Sequence, residues 1–123
     1  MKNQAYRMAM LFDFYGDLLT ERQRGFYDLY YNEDLSLAEI AENYGISRQG
    51  VRDVIVRAEA AMTEIEDKTH IIRRFQQSKA PIAAISDAAD RLLQSIDRRS
   101  YSDVMLDEIA RTIKENVAKL EQE

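Results

Sequence analysis

The sequence has 123 residues, with no cysteine, one proline, one histidine and four glycines. Without thiols there is no disulfide framework, no thiolate zinc site and no cysteine nucleophile. A single histidine cannot build a multi-histidine metal site. So little glycine and proline argues against a loop-rich or all-β architecture. No apolar run approaches the length that spans a bilayer, so no membrane role is expected. The opening residues, Met1 to Arg7, are not followed by an apolar stretch and a small-residue cleavage site, which points to a cytoplasmic protein. The net charge is −5 and the pI about 5.0. The chain therefore lacks the basic excess of a non-specific nucleic-acid binder, and any such role must rest on a local surface.

What is present is helical. Apolar residues make up 46% and charged residues 32%, enough for one packed core in an all-α fold. We divide the chain into a module over residues 1–66 and a helical extension over 67–123. In the module, Ala5, Met8, Ala9, Phe12 and Tyr15 recur at helical spacing, and Leu11, Phe14 and Leu18 widen the apolar face. Thr20 with Gln23, and Ser36 with Glu39, read as capping boxes that start the next two helices. Ser47 caps a further helix with Val51, Val54, Ile55, Ala58, Met62 and Ile65 on one face, free to run past Ile65.

The segment from Leu37 to Val54 has the spacing of a helix-turn-helix. Ala41 is small where two helices cross, and Gly45 supplies the left-handed turn residue. Ile46 fills the corner, and Val51 and Val54 anchor the second helix on Ile40 and Leu37. The helix after Ser47 is then the recognition helix, with Gln49, Arg52, Asp53 and Val56 outward and Arg48 at the edge. Arg48 and Arg52 suit guanine O6 and N7, Gln49 suits adenine, and Ser47 with the free N–H groups of the helix start suits a phosphate. Arg22, Arg24 and Ser36 are candidate backbone contacts. Opposing this, residues 36–66 carry three arginines against six carboxylates, little for phosphate neutralisation. The alternative is a solvated helix face with pairs such as Asp53–Arg57, and a helix-turn-helix used as a scaffold.

At these residues a resemblance appears. Leu19 to Arg24, Phe26 to Tyr31 and Leu35 to Asp53 resemble region four of bacterial sigma factors, which binds the −35 promoter element. The whole chain is similar to the YlxM family of small bacterial helix-turn-helix proteins, most specifically over residues 10–66, where Met10 to Thr20 matches the family's opening. The resemblance implies a sigma region-four-like fold and a DNA-binding regulator. It also implies a link to the signal recognition particle pathway, whose genes commonly neighbour the family's. It implies no catalytic residues and no cofactor. By motif, DNA contact carries over only to Ser47, Arg48, Gln49 and Arg52.

The extension is of another character. Lys68, Arg73, Arg74 and Lys79 form a basic run without acids, read here as the exposed side of a helix rather than an RNA or DNA contact, because residues 67–123 balance at ten basic and ten acidic residues. The lone His70 reads as a surface or cap residue. Pro81 either starts a helix or kinks one. Ile82, Ile85, Ala89, Leu92 and Ile96 make a two-heptad seam, and Leu106, Ile109, Ile113, Val117 and Leu120 a second stripe. A seam this short must pack on the other stripe, on the module or on a second chain. We expect a homodimer through residues 82–120. No phosphate-cradling loop, nucleophile elbow or metal-ligand cluster is present, so no enzymatic activity is expected. Double-stranded DNA is the expected partner. A protein- or RNA-binding accessory role in the targeting machinery is the alternative.

Overall fold

A computed structural model describes residues 5–122. It contains six α-helices and, among the described residues, no strand. They are α1 (Ala5–Tyr15), α2 (Glu21–Tyr31), α3 (Leu37–Tyr44), α4 (Arg48–Thr69), α5 (Ile71–Asp97) and α6 (Asp103–Glu121), with a short 3₁₀ turn Gly16–Leu18 after α1.

The helix boundaries follow local chemistry. The Thr20 hydroxyl accepts from the Gln23 N–H while the Gln23 side chain accepts from the Thr20 N–H, and Ser36 and Glu39 repeat the arrangement at α3. Both reciprocal caps satisfy donors that the first helical turn leaves open. Ser102 caps α6 through the Met105 N–H. Gly45 ends α3 in the left-handed region at φ 67°. His70 ends α4 the same way at φ 54°, so the lone histidine is a cap.

The chain divides into two compact units between Ile72 and Arg73. The first is built around α4. Val51, Ile55, Ala58 and Met62, spaced four, three and four residues apart, are fully buried. Around this stripe pack Met8, Leu11 and Tyr15 of α1, Phe26, Tyr27 and Tyr30 of α2, Ile40 and Ala41 of α3, and Ile72 at the start of α5. Burying each large side chain contributes about 1.5–3 kcal/mol. Ile72 belongs to this core, so the unit reaches beyond residue 66.

Polar atoms within the core are matched. Tyr27 stacks on Phe12 with ring centroids 5.1 Å apart, and its hydroxyl donates to the Met8 carbonyl at 2.6 Å. Tyr31 donates to the Glu59 carboxylate. Tyr15 donates to Glu66 Oε1 at 2.5 Å, and the Ile72 N–H donates to the same oxygen at 2.9 Å. Glu66 thus ties α1 to the α4–α5 turn. Among the described residues, every buried side-chain nitrogen and oxygen has a partner.

The second unit is an antiparallel helical hairpin of α5 and α6. Ser95 of α5 donates to the Met105 sulfur near the turn. At the far end Gln77 and Ser78 share a shallow hollow with Lys119 and Leu120. Ala88 of α5 and Ile109 of α6 are buried, as is Asn116, whose amide donates to the Thr112 carbonyl at 2.7 Å. Two readings are narrowed here. Of the two for Pro81, the helix start is excluded, because Pro81 lies inside α5, which runs through it for 27 residues. Along the seam, Ile85, Ala89 and Leu92 are partly buried, whereas Ile82 and Ile96 remain more than half exposed; the fully buried positions of this stretch of α5 are Pro81 and Ala88.

Candidate nucleic-acid interface

The site is built on α3, its turn and the first turns of α4. Ala41 lies buried where α3 crosses α4, and Ile40 and Val51 are fully buried on either side of the crossing. The chain reverses at Gly45. The Gly45 N–H returns to the Ala41 carbonyl, and Ile46 N–H donates to that same carbonyl at 3.2 Å. With φ at 67°, a side chain at residue 45 would be strained even though its Cβ would meet no atom.

Ser47 then caps α4 by accepting from the Gly50 N–H at 3.0 Å. A Cβ at Gly50 would lie 3.2 Å from Ser47 Oγ, so the cap would have to give by a few tenths of an ångström, and 3.7 Å from Ile46 Cδ1, an ordinary contact. Ser47, Arg48, Gln49 and Arg52 are all exposed, and the four come together on the first two turns of a 22-residue helix. The helix N-terminus adds its open N–H groups and the positive end of its dipole to that surface.

Two details were not legible in the residue order. Gln49 donates its amide to Asp53 at 2.9 Å, so Asp53 takes the residue one turn before it rather than Arg57 one turn after. The outward face is therefore partly self-satisfied, and a base contact by Gln49 must displace this bond. The other detail is an aromatic support. Tyr44, at the end of α3 and more than half exposed, meets the buried Phe26 edge to face at 4.8 Å. The Arg22 guanidinium sits over the same Phe26 ring, 5.2 Å from its centroid. Arg22 is held beside the helix-turn-helix by this stacking. Arg22 and Phe26 are an i,i+4 pair within α2, whereas the Tyr44 contact joins α2 to α3 and leaves no sequence signal.

The remaining candidates lie apart. Arg24 forms an ion pair with Asp17 at 3.1 Å. Ser36 is exposed at the start of α3, with its oxygen accepting from the Glu39 N–H. In the basic run, Lys68 pairs with Glu64 at 2.9 Å, which lowers the Glu64 carboxyl and raises the Lys68 ammonium from their ordinary values. Lys79 lies over the Phe75 ring. Among the described residues, no three His, Cys, Asp or Glu side chains are grouped to hold a metal ion. Among the same residues, no helix is long and apolar enough to cross a membrane.

Comparison with known proteins agrees with this geometry. The model of the UPF0122 family, described as "Putative helix-turn-helix protein, YlxM / p13 like", matches residues 2–101. The UPF0122 protein BH2485 of Halalkalibacterium halodurans is 41% identical over 106 residues, covering 79% of this chain and 97% of its own length. A UPF0122 protein of Bacillus thuringiensis is 47% identical over 85 residues, 69% of this chain and 77% of the relative. One from Desulforamulus reducens is 44% identical over 85 residues, 69% and 73%. With four-fifths of the sequence matched, and α3, Gly45 and α4 arranged as the family's description requires, the chain belongs to the UPF0122, YlxM/p13-like family of helix-turn-helix proteins.

Proposed function

We propose that this protein binds double-stranded DNA as a cytoplasmic transcription regulator, inserting the N-terminal face of α4 into the major groove. The observation that carries this reading is the joint exposure of Ser47, Arg48, Gln49 and Arg52 at the capped start of α4, directly after a tight Gly45 turn. Such a helix start reads base edges through its first turns. Arg48 and Arg52 donate to guanine, and Gln49, released from Asp53, to adenine. Ser47 and the helix-start N–H groups take a phosphate, and Arg22, with Arg24 and Ser36 further off, supplies additional backbone contacts.

Selection from a random duplex pool, with Arg52→Ala alongside the native protein, tests this. The native chain is expected to enrich a motif, and Arg52→Ala to weaken binding to that motif by roughly tenfold or more. Equal behaviour of the two proteins overturns the reading.

A second reading is favoured by the excess of carboxylates over residues 36–66 and by the Gln49–Asp53 bond. The helix-turn-helix then acts as a scaffold in a protein- or RNA-binding accessory factor of the signal recognition particle pathway. Its mark is retention of the particle's protein or RNA, unchanged by Arg52→Ala, without any enriched DNA motif.

A further inference from the structure

We propose that the turn end of the α5–α6 hairpin binds a single phosphate group, as inorganic phosphate or a small phosphate monoester, between Arg91 and Arg98. An open hollow of about 210 Å³ lies there, lined by Arg91, Gln94, Ser95, Arg98, Ser100 and Met105. Arg91 and Arg98 are seven residues apart in the chain, a spacing that puts both on one side of a helix, two turns apart. Gln94 falls between them on that side. Helix α5 ends at Asp97, and Arg99 turns the chain back in the left-handed region at φ 52°. The Ser100 N–H then donates to the Ser95 carbonyl at 2.9 Å, which returns Ser100 to the end of α5. Met105, in the first turn of α6, completes the wall.

The wall has the chemistry of an anion site. Among the described residues, no carboxylate lines the hollow. Arg91 has Asp87 one turn before it, the spacing of an ordinary helical ion pair. Among the described residues, neither Arg91 nor Arg98 pairs with a carboxylate. Ser95 is already committed, its hydroxyl donating to the Arg91 carbonyl at 2.8 Å and lying 3.3 Å from the Met105 sulfur. Two guanidinium groups, the Gln94 amide and the Ser100 hydroxyl therefore remain as donors. A guanidinium fork matches the oxygens of a phosphate, and two of them balance its charge.

The surrounding charge limits the occupant to one phosphate. From Asp87 to Asp107 the chain carries five carboxylates against Arg91, Arg98 and Arg99. A polynucleotide laid across the hollow would carry its further phosphates over these acids, whereas a lone phosphate meets the guanidinium groups alone. The Met105 thioether gives the carbon skeleton of a monoester a surface to rest on. The proposal does not depend on what α4 binds.

Amide-resolved NMR of the full chain tests it, titrated with inorganic phosphate and separately with adenosine monophosphate, at an ionic strength held constant with chloride. The Ser100 amide and the Arg91 and Arg98 Nε–H signals are expected to shift and to saturate at millimolar concentration. Arg91→Gln/Arg98→Gln is expected to weaken binding by about tenfold or more, with unchanged helical circular dichroism. Lys114→Gln removes the same charge from an exposed position of α6 outside the hollow and is expected to bind as the native chain does. Arg98→Lys, which keeps the charge and loses the fork, is expected to fall between. Equal affinity for the two anions assigns the site to free phosphate, and tighter binding of adenosine monophosphate assigns it to a monoester; both uphold the proposal. Shifts that do not saturate overturn it, as does a double variant that binds like the native chain or an equal loss in Lys114→Gln. Saturation at these signals by a short single-stranded oligonucleotide but by neither small anion also overturns it.

Discussion

Tyrosine is the residue on which this core depends most visibly. Tyr15, Tyr27 and Tyr31 all carry hydroxyls held above the usual tyrosine value of 10.0. Burial is the main cause in each. The bonded carboxylates add to it, Glu66 at Tyr15 and Glu59 at Tyr31, because an ionised phenol beside a carboxylate would be repelled. The folded state thus keeps protons that the unfolded chain releases near pH 10. Their contribution to stability is fully present below that pH and is lost as the pH rises toward the folded values. Urea unfolding at pH 8, 9.5 and 11 is expected to show stability level between the first two and falling at the third. Tyr15→Phe, which cannot ionise at that site, is expected to be less stable at pH 8 by about 1 kcal/mol and to fall less steeply at pH 11. An unchanged slope in the variant would remove Tyr15 from this account.

At the scale of elements, buried small residues leave no room for a larger side chain. Ala41 at the α3–α4 crossing and Ala88 in the α5–α6 hairpin are both buried. A larger side chain at either must separate the helices or adopt a strained rotamer. Ala88→Leu is expected to destabilise by about 1–3 kcal/mol, seen as a lower Tm by circular dichroism. If the Tm holds, the hairpin is loosely packed at that layer. The capped helices α2, α3 and α4 were legible because each begins with a side chain that closes on its own first turn, from Thr20, Ser36 and Ser47. The break between α4 and α5 was not. His70 adopts a left-handed conformation without being glycine, and what holds it there is Glu66 meeting Tyr15, from α1, and the Ile72 N–H. No local rule predicts a bond across 51 residues.

Across the whole molecule, charge and shape pull in different directions. The chain is acidic at −5, while the proposed interface offers four arginines, Arg22, Arg24, Arg48 and Arg52. Each phosphate contact contributes a slope of about −0.9 to the dependence of log affinity on log salt, so a slope of about −4 or shallower is expected for duplex DNA. Titration by fluorescence anisotropy between 50 and 200 mM salt, as order-of-magnitude limits, measures it. A slope nearer −8 would require further cations, and the basic run on α5 would have to join the interface.

Helix identity, the capped starts and the helix-turn-helix spacing were determined by the sequence alone, because caps, helical periodicity and a left-handed glycine act over three to seven residues. That Ser47, Arg48, Gln49 and Arg52 share the exposed first two turns of one helix was legible for the same reason. Tertiary structure decided the rest. It put Ile72 into the first core, buried Pro81 and Ala88 of α5 while leaving Ile82 and Ile96 exposed, and set Tyr44 of α3 against Phe26 of α2. These depend on which helix arrives as a neighbour and from which side. An amphipathic stripe states that a face must be covered, and only the packed chain states by what.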